Sequence, residues 1–138
     1  MAIIDMRTMR YINLLDKITH VKTKNCFIHN NTIFFAVNRN EVSRAIGAGA
    51  SNIRKMQEKT GRKIRIIIEI EGDNDLKRFI EDIIAPARVK SVERKENELI
   101  ITAGNGRSKA ALIGRDKRRL EELKKIVHDF FNSGLRIA

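Results

Sequence analysis

The sequence predicts an α+β protein made of two copies of one small unit, each in the order αββααβ with a three-stranded sheet packed by helices on one face. Three observations carry this prediction. A short signature occurs twice, as IGAGASNI from Ile46 to Ile53 and as IGRDKRRL from Ile113 to Leu120. The copies stand 67 residues apart, close to half of the 138-residue chain, as duplication of a small domain requires. Around each copy, helical and strand-like apolar spacings follow one another in the same order. The domains expected are residues 1–72 and 73–138.

The first unit opens with Tyr11, Leu14, Leu15 and Ile18, at i, i+3, i+4 and i+7, which marks an amphipathic helix. Two β-rich runs follow, Lys24 to Ile28 and Thr32 to Val37. Asn30-Asn31 joins them, and Asn tolerates the positive φ of a tight hairpin turn. Asn38 or Asn40 can cap a short helix through Ala45, which Gly47 ends. The next helix starts near Ser51, buries Ile53 and Met56, and stops at Gly61. Lys63 to Ile70, rich in Ile, reads as a strand.

The second unit repeats this order. Leu76, Phe79, Ile80 and Ile83 give a helix, capped by Asn74 or Asp75 and closed by Pro86. Strands are expected at Val89 to Arg94 and Glu98 to Thr102, with a turn at Glu96-Asn97. A short helix from about Arg107 to Leu112 precedes the second signature. A longer one then carries Leu120, Leu123, Val127 and Phe130. The last strand shrinks to Leu135 to Ile137, which leaves the second sheet either incomplete or dependent on a borrowed edge. The join, Glu71-Gly72-Asp73-Asn74, is too short for a flexible linker, so the units are expected in a fixed relation.

Charge points to a polyanionic partner. The formal net charge is +11, and the sequence pI is about 10.2. Arg39 to Arg65 holds 8 basic and 2 acidic residues, and Arg107 to Lys125 holds 8 basic and 3 acidic. Those two windows account for the whole excess, and each surrounds one signature. Cys26 is the only cysteine, so no intrachain disulfide can form and a reducing cytoplasm is expected. No apolar run reaches membrane-spanning length, and MAIIDMRTMR does not read as a signal peptide. No membrane partner is expected.

The signature, a Gly turn between two short basic helices, resembles that of the KH family of RNA-binding domains. That family carries Gly-x-x-Gly within Ile-Gly-x-x-Gly-x-x-Ile. Glycine lets a sugar–phosphate backbone approach the main chain, and the amides and dipole of the following helix favour phosphate. Ile46 with Ile53, and Ile113 with Leu120, would pack the helix pair from beneath. Two strands before the loop and one after is the type II order, so the chain resembles tandem type II KH domains. Their rigid pairing and free-standing size are similar to the archaeal NusA-like family of transcription factors.

The resemblance implies single-stranded RNA, a nascent transcript, as partner, with a role in transcription elongation, termination or antitermination. RNA polymerase contact is a further implication. Residues implied in RNA binding are Gly47, Ala48, Gly49, Ala50, Ser51, Asn52, Arg54 and Lys55 in the first unit. Gly114, Arg115, Lys117, Arg118 and Arg119 are their counterparts in the second. Arg44, Arg62, Lys63 and Arg65 read as a steering field, and Ser51 and Asn52 as helix caps as well. The pattern departs from the family at the fourth position, Ala50 in one copy and Lys117 in the other. The first unit is therefore expected to be the backbone clamp and the second to act through charge, with Asp116 opposing it. Most of the six Phe residues read as core rather than stacking platforms.

Other chemistries lack their residues. Cys26-x-x-His29 is half a zinc site with no second pair. His20 and His128 have no nucleophile or carboxylate arranged around them, and Gly104 to Lys109 lacks the Gly-Lys-Ser/Thr order of a Walker motif. Gly47-x-Gly49 is followed by Asn52 where a dinucleotide fingerprint needs Gly. An enzyme is not expected, nor a cofactor, and a monomer is the expected state. Two alternatives stay open: helix-turn-helix binding of duplex DNA, and a protein-docking module on polymerase or ribosome.

Overall fold

The computed structural model describes residues 6–138. Met1 to Asp5, which belong to the first expected domain and to the signal-peptide reading, lie outside the described residues. The chain divides into two compact units with the break after Glu69.

In the first unit, α1 (Met6–Thr19) leads to β1 (Asn25–His29) and β2 (Thr32–Val37), then α2 (Val42–Ile46), α3 (Ser51–Thr60) and β3 (Lys63–Ile68). Asn30 and Asn31 both take positive φ, 51° and 57°, as the tight β1–β2 turn demands. β2 is the middle strand, antiparallel to β1 and parallel to β3. The parallel pairing needs a crossover, and α2, the loop and α3 provide it. Cys26, Ile33, Phe35, Val37 and Ile64 line one sheet face and form a core with Leu15 of α1, Ala45 of α2 and Met56 of α3. Period-two alternation places Phe27, Phe34 and Arg65 on the other face, where Phe27 stacks on Phe34 with ring centroids 5.3 Å apart.

The second unit repeats the topology with α4 (Leu76–Ile84), β4 (Ser91–Lys95), β5 (Glu98–Thr102), α5 (Gly106–Ile113), α6 (Arg118–Phe131) and β6 (Gly134–Ile137). Its strand order is β4-β5-β6, again one antiparallel and one parallel pair. The short β6 completes this sheet, with Leu99 opposite Leu135 and Ile101 opposite Ile137, so no borrowed edge is needed. Phe79 of α4 meets the ring of Phe131 edge-on at 6.0 Å. Asp75 stands at the start of α4, but its carboxylate accepts from the Glu71 amide and pairs with Arg78 instead of capping.

Five of the six Phe are buried and Phe130 is half-buried, so none stands out as an open stacking surface. Cys26 and His29 lie three apart on β1, on opposite faces, and cannot close on one ion. No helix among the described residues is long and apolar enough to cross a membrane.

Candidate nucleic-acid interface

Each signature folds as the turn between the two helices of the crossover. α2 is closed by Gly47, whose amide donates to Ser43 O, and α5 by Gly114, whose amide donates to Ala110 O. The chain then makes one tight turn, Ala48–Ala50 or Arg115–Lys117, whose last two residues are left-handed, and enters α3 or α6. The two loops have nearly the same backbone. Gly47 and Gly114 sit at φ 79° and 72°, Gly49 and Asp116 at 59° and 56°, and Ala50 and Lys117 both at 61°. Three positive φ values in four residues explain why the family pattern has glycines at both ends of this loop. Here Ala50 and Lys117 accept the left-handed form at a cost of about 1 kcal/mol each.

The two glycines of the first loop serve different ends. A Cβ on Gly47 would lie 2.8 Å from Ser51 Oγ and 2.9 Å from Asn52 Cγ, and one on Gly114 2.5 Å from Arg119 Cγ. Gly47 and Gly114 also sit at φ/ψ 79°/164° and 72°/175°, a region open essentially to glycine alone, so the backbone needs both without any ligand. A Cβ on Gly49 meets nothing within 4 Å. Ala48 and Gly49 are exposed and form the open lip of the loop.

The start of each following helix is also open. No side chain caps α3 at Ala50 or α6 at Lys117, whereas α5 is capped by Asn105, whose Oδ1 accepts from the Ser108 amide at 2.8 Å. An uncapped first turn directs amides outward, and the helix dipole favours an anion there. Ser51 is the first residue of α3 and is not its cap. Asn52 is a cap of another kind: its Nδ2 donates to Arg44 O at 3.0 Å and ties the end of α2 to α3.

The cations divide by place. Arg54 and Lys55 are exposed on the first turn and a half of α3, and Arg54 Nη1 donates to Gly49 O at 2.5 Å. Arg44 is exposed beside them and pairs with Glu41 at 3.2 Å. Arg62 and Lys63 lie beyond the far end of α3, about 15 Å away for a 10-residue helix, and Arg62 donates to Asn31 of the hairpin turn. Arg65 is on the sheet face away from the helices. In the second loop Arg115, Lys117 and Arg118 are exposed together with Asp116. Arg119 is turned inward against Gly114 and pairs with Glu122.

The 67-residue offset places Glu121 and Glu122 where the first unit has Arg54 and Lys55. That exchange was available in the sequence, by aligning the repeats beyond the signature, but the charge of the whole window hid it.

Residues 32–85 match the KH domain family. A Methanocaldococcus jannaschii protein named probable transcription termination protein NusA is 30% identical over 119 residues, covering 84% of this chain and 63% of that protein. Its namesake from Methanococcus vannielii is 30% identical over 80% of this chain and 64% of its own length. The chain thus spans a little under two thirds of both. A Halococcus morrhuae protein of the same name is 22% identical over 90% of this chain and 88% of its own length. The crystal structure of APE1850 superposes with a TM-score of 0.69 at 24% identity, over 98% of this chain and 100% of that one, which shows the shared fold.

Two sheets of one topology, each crossed over by a helix pair with a Gly-led turn, define a protein of the tandem KH-domain class in the type II order. Within that class the chain is similar to the archaeal proteins named probable transcription termination protein NusA.

Proposed function

We propose that this protein binds single-stranded RNA, seating the sugar–phosphate backbone on the first loop, Gly47 to Ala50, and acts on nascent transcripts in elongation, termination or antitermination. The observation that carries the reading is the open lip at Ala48-Gly49, set against an uncapped helix start with Arg54 and Lys55 beside it. The relatives' name, transcription termination protein, supports the setting. In that setting the protein is cytoplasmic, is not an enzyme and meets RNA polymerase through the transcript it holds. The second loop adds attraction through Arg115, Lys117 and Arg118 but is the weaker seat, because Asp116, Glu121 and Glu122 oppose phosphate.

The test is fluorescence anisotropy with a short unstructured RNA and a duplex DNA at equal salt. The protein is expected to prefer the RNA; tighter duplex binding contradicts the proposal and favours the helix-turn-helix reading. Ala48→Asp with Gly49→Asp is expected to abolish RNA binding by the first loop while the fold stays intact. The second loop already carries Asp116 at the position of Gly49, with φ 56°, so Asp is compatible with this backbone.

A further inference from the structure

The first loop has a contact that the second lacks. Arg54 reaches back from α3, and its Nη1 donates to the carbonyl oxygen of Gly49 at 2.5 Å. Gly49 and Ala50 are the two consecutive left-handed residues on which the loop turns. In the second loop Asp116 and Lys117 take the same two conformations. The position of Arg54 is there held by Glu121, a carboxylate with no N–H to donate. The neighbouring Arg119 is engaged by Glu122. One chain therefore contains the same turn twice, once tied and once untied.

We propose that Arg54 is a positioning residue, a latch that holds the first loop in the form that presents Ala48 and Gly49 to the ligand. The proposal rests on the RNA-binding reading above and assigns Arg54 a role other than phosphate neutralisation. Two physical effects support it. A loop already fixed in its binding form loses less conformational freedom when the ligand arrives. The Gly49 carbonyl also carries partial negative charge at the mouth of an anion site, and a guanidinium laid against it removes that repulsion. Lys55, the next residue and exposed, is left to meet phosphate directly.

Arg54→Gln and Lys55→Gln test this in the full chain. The first readout needs no RNA: amide exchange at Ala50 and Ser51, whose N–H groups donate to Gly47 O and Ala48 O. Arg54→Gln is expected to speed exchange at both amides roughly tenfold as the turn opens locally, with β2 amides unchanged. Lys55→Gln leaves these rates at the wild-type value. In the unaltered protein Lys117 and Arg118, at the untied turn, are expected to exchange about as fast as the freed first loop. The second readout is the slope of log affinity against log salt with a short unstructured RNA. Lys55→Gln reduces its magnitude by about 0.7, and Arg54→Gln weakens binding several-fold without changing the slope. Unchanged exchange in Arg54→Gln overturns the latch, as does a loss of about 0.7 in slope for that variant. If the unaltered protein binds no RNA, the function proposed above fails, and the exchange rates still decide the latch.

Discussion

A methyl group at Gly47 would push aside the Ser51 and Asn52 side chains, the second of which ties α3 to Arg44 O, and would hold a non-glycine residue at φ 79° and ψ 164°. At Gly49 the space is open and only the left-handed backbone resists. Gly47→Ala is therefore expected to destabilise the protein by about 2–4 kcal/mol, and Gly49→Ala by about 1 kcal/mol, in denaturant titrations. Equal losses at the two sites would contradict this division. Residues of this kind were only half legible in the sequence. The repeated Ile-Gly announced a turn, and its basic company gave the expectation of a polyanion. Nothing in the string separated the glycine that the helix needs from the one that leaves the lip open, since that depends on where Asn52 and Arg119 fold back. The same holds for Arg54, whose reach to Gly49 O is a matter of rotamer rather than spacing.

Helices and strands were far more legible, because each buries one periodic stripe. Leu76, Phe79, Ile80 and Ile83 predicted α4, and all four are buried in it. Asn30-Asn31 predicted the hairpin, and Thr32–Val37 is observed as predicted. The edges were less certain for physical reasons. β3 stops at Ile68, short of Ile70, where its pairing with β2 runs out at Val37. β6, short as it is, pairs along all four of its residues with Glu98 to Ile101 of β5. The repeat makes an element-level prediction. Met56 of α3 and Leu123 of α6 occupy the same repeat position, and both are fully buried. Truncating either to Ala is expected to cost about 2–5 kcal/mol, read from chemical denaturation of the full chain. A loss below 1 kcal/mol at either position would contradict the equivalence of the two helices as core elements.

Across the molecule, the excess charge divides almost equally between two windows, one around each loop. The structure places that charge differently around the two loops. Around the first loop Arg54 reaches Gly49 O and Lys55 is exposed beside it on α3, while Arg62, Lys63 and Arg65 lie elsewhere. Around the second, Glu121 and Glu122 stand at the matching sites and Arg119 is held by Glu122. A window sum cannot register this, since it counts charge without direction. The central claim is that the first loop is the seat of the RNA backbone and the second is an auxiliary field. It is tested most directly by anisotropy of a short unstructured RNA against two paired variants at equal salt, Ala48→Asp with Gly49→Asp and Arg115→Asp with Lys117→Asp. The account predicts a loss of about a hundredfold or more for the first pair and about tenfold or less for the second, although the second removes more positive charge. A larger loss from the second pair would contradict it.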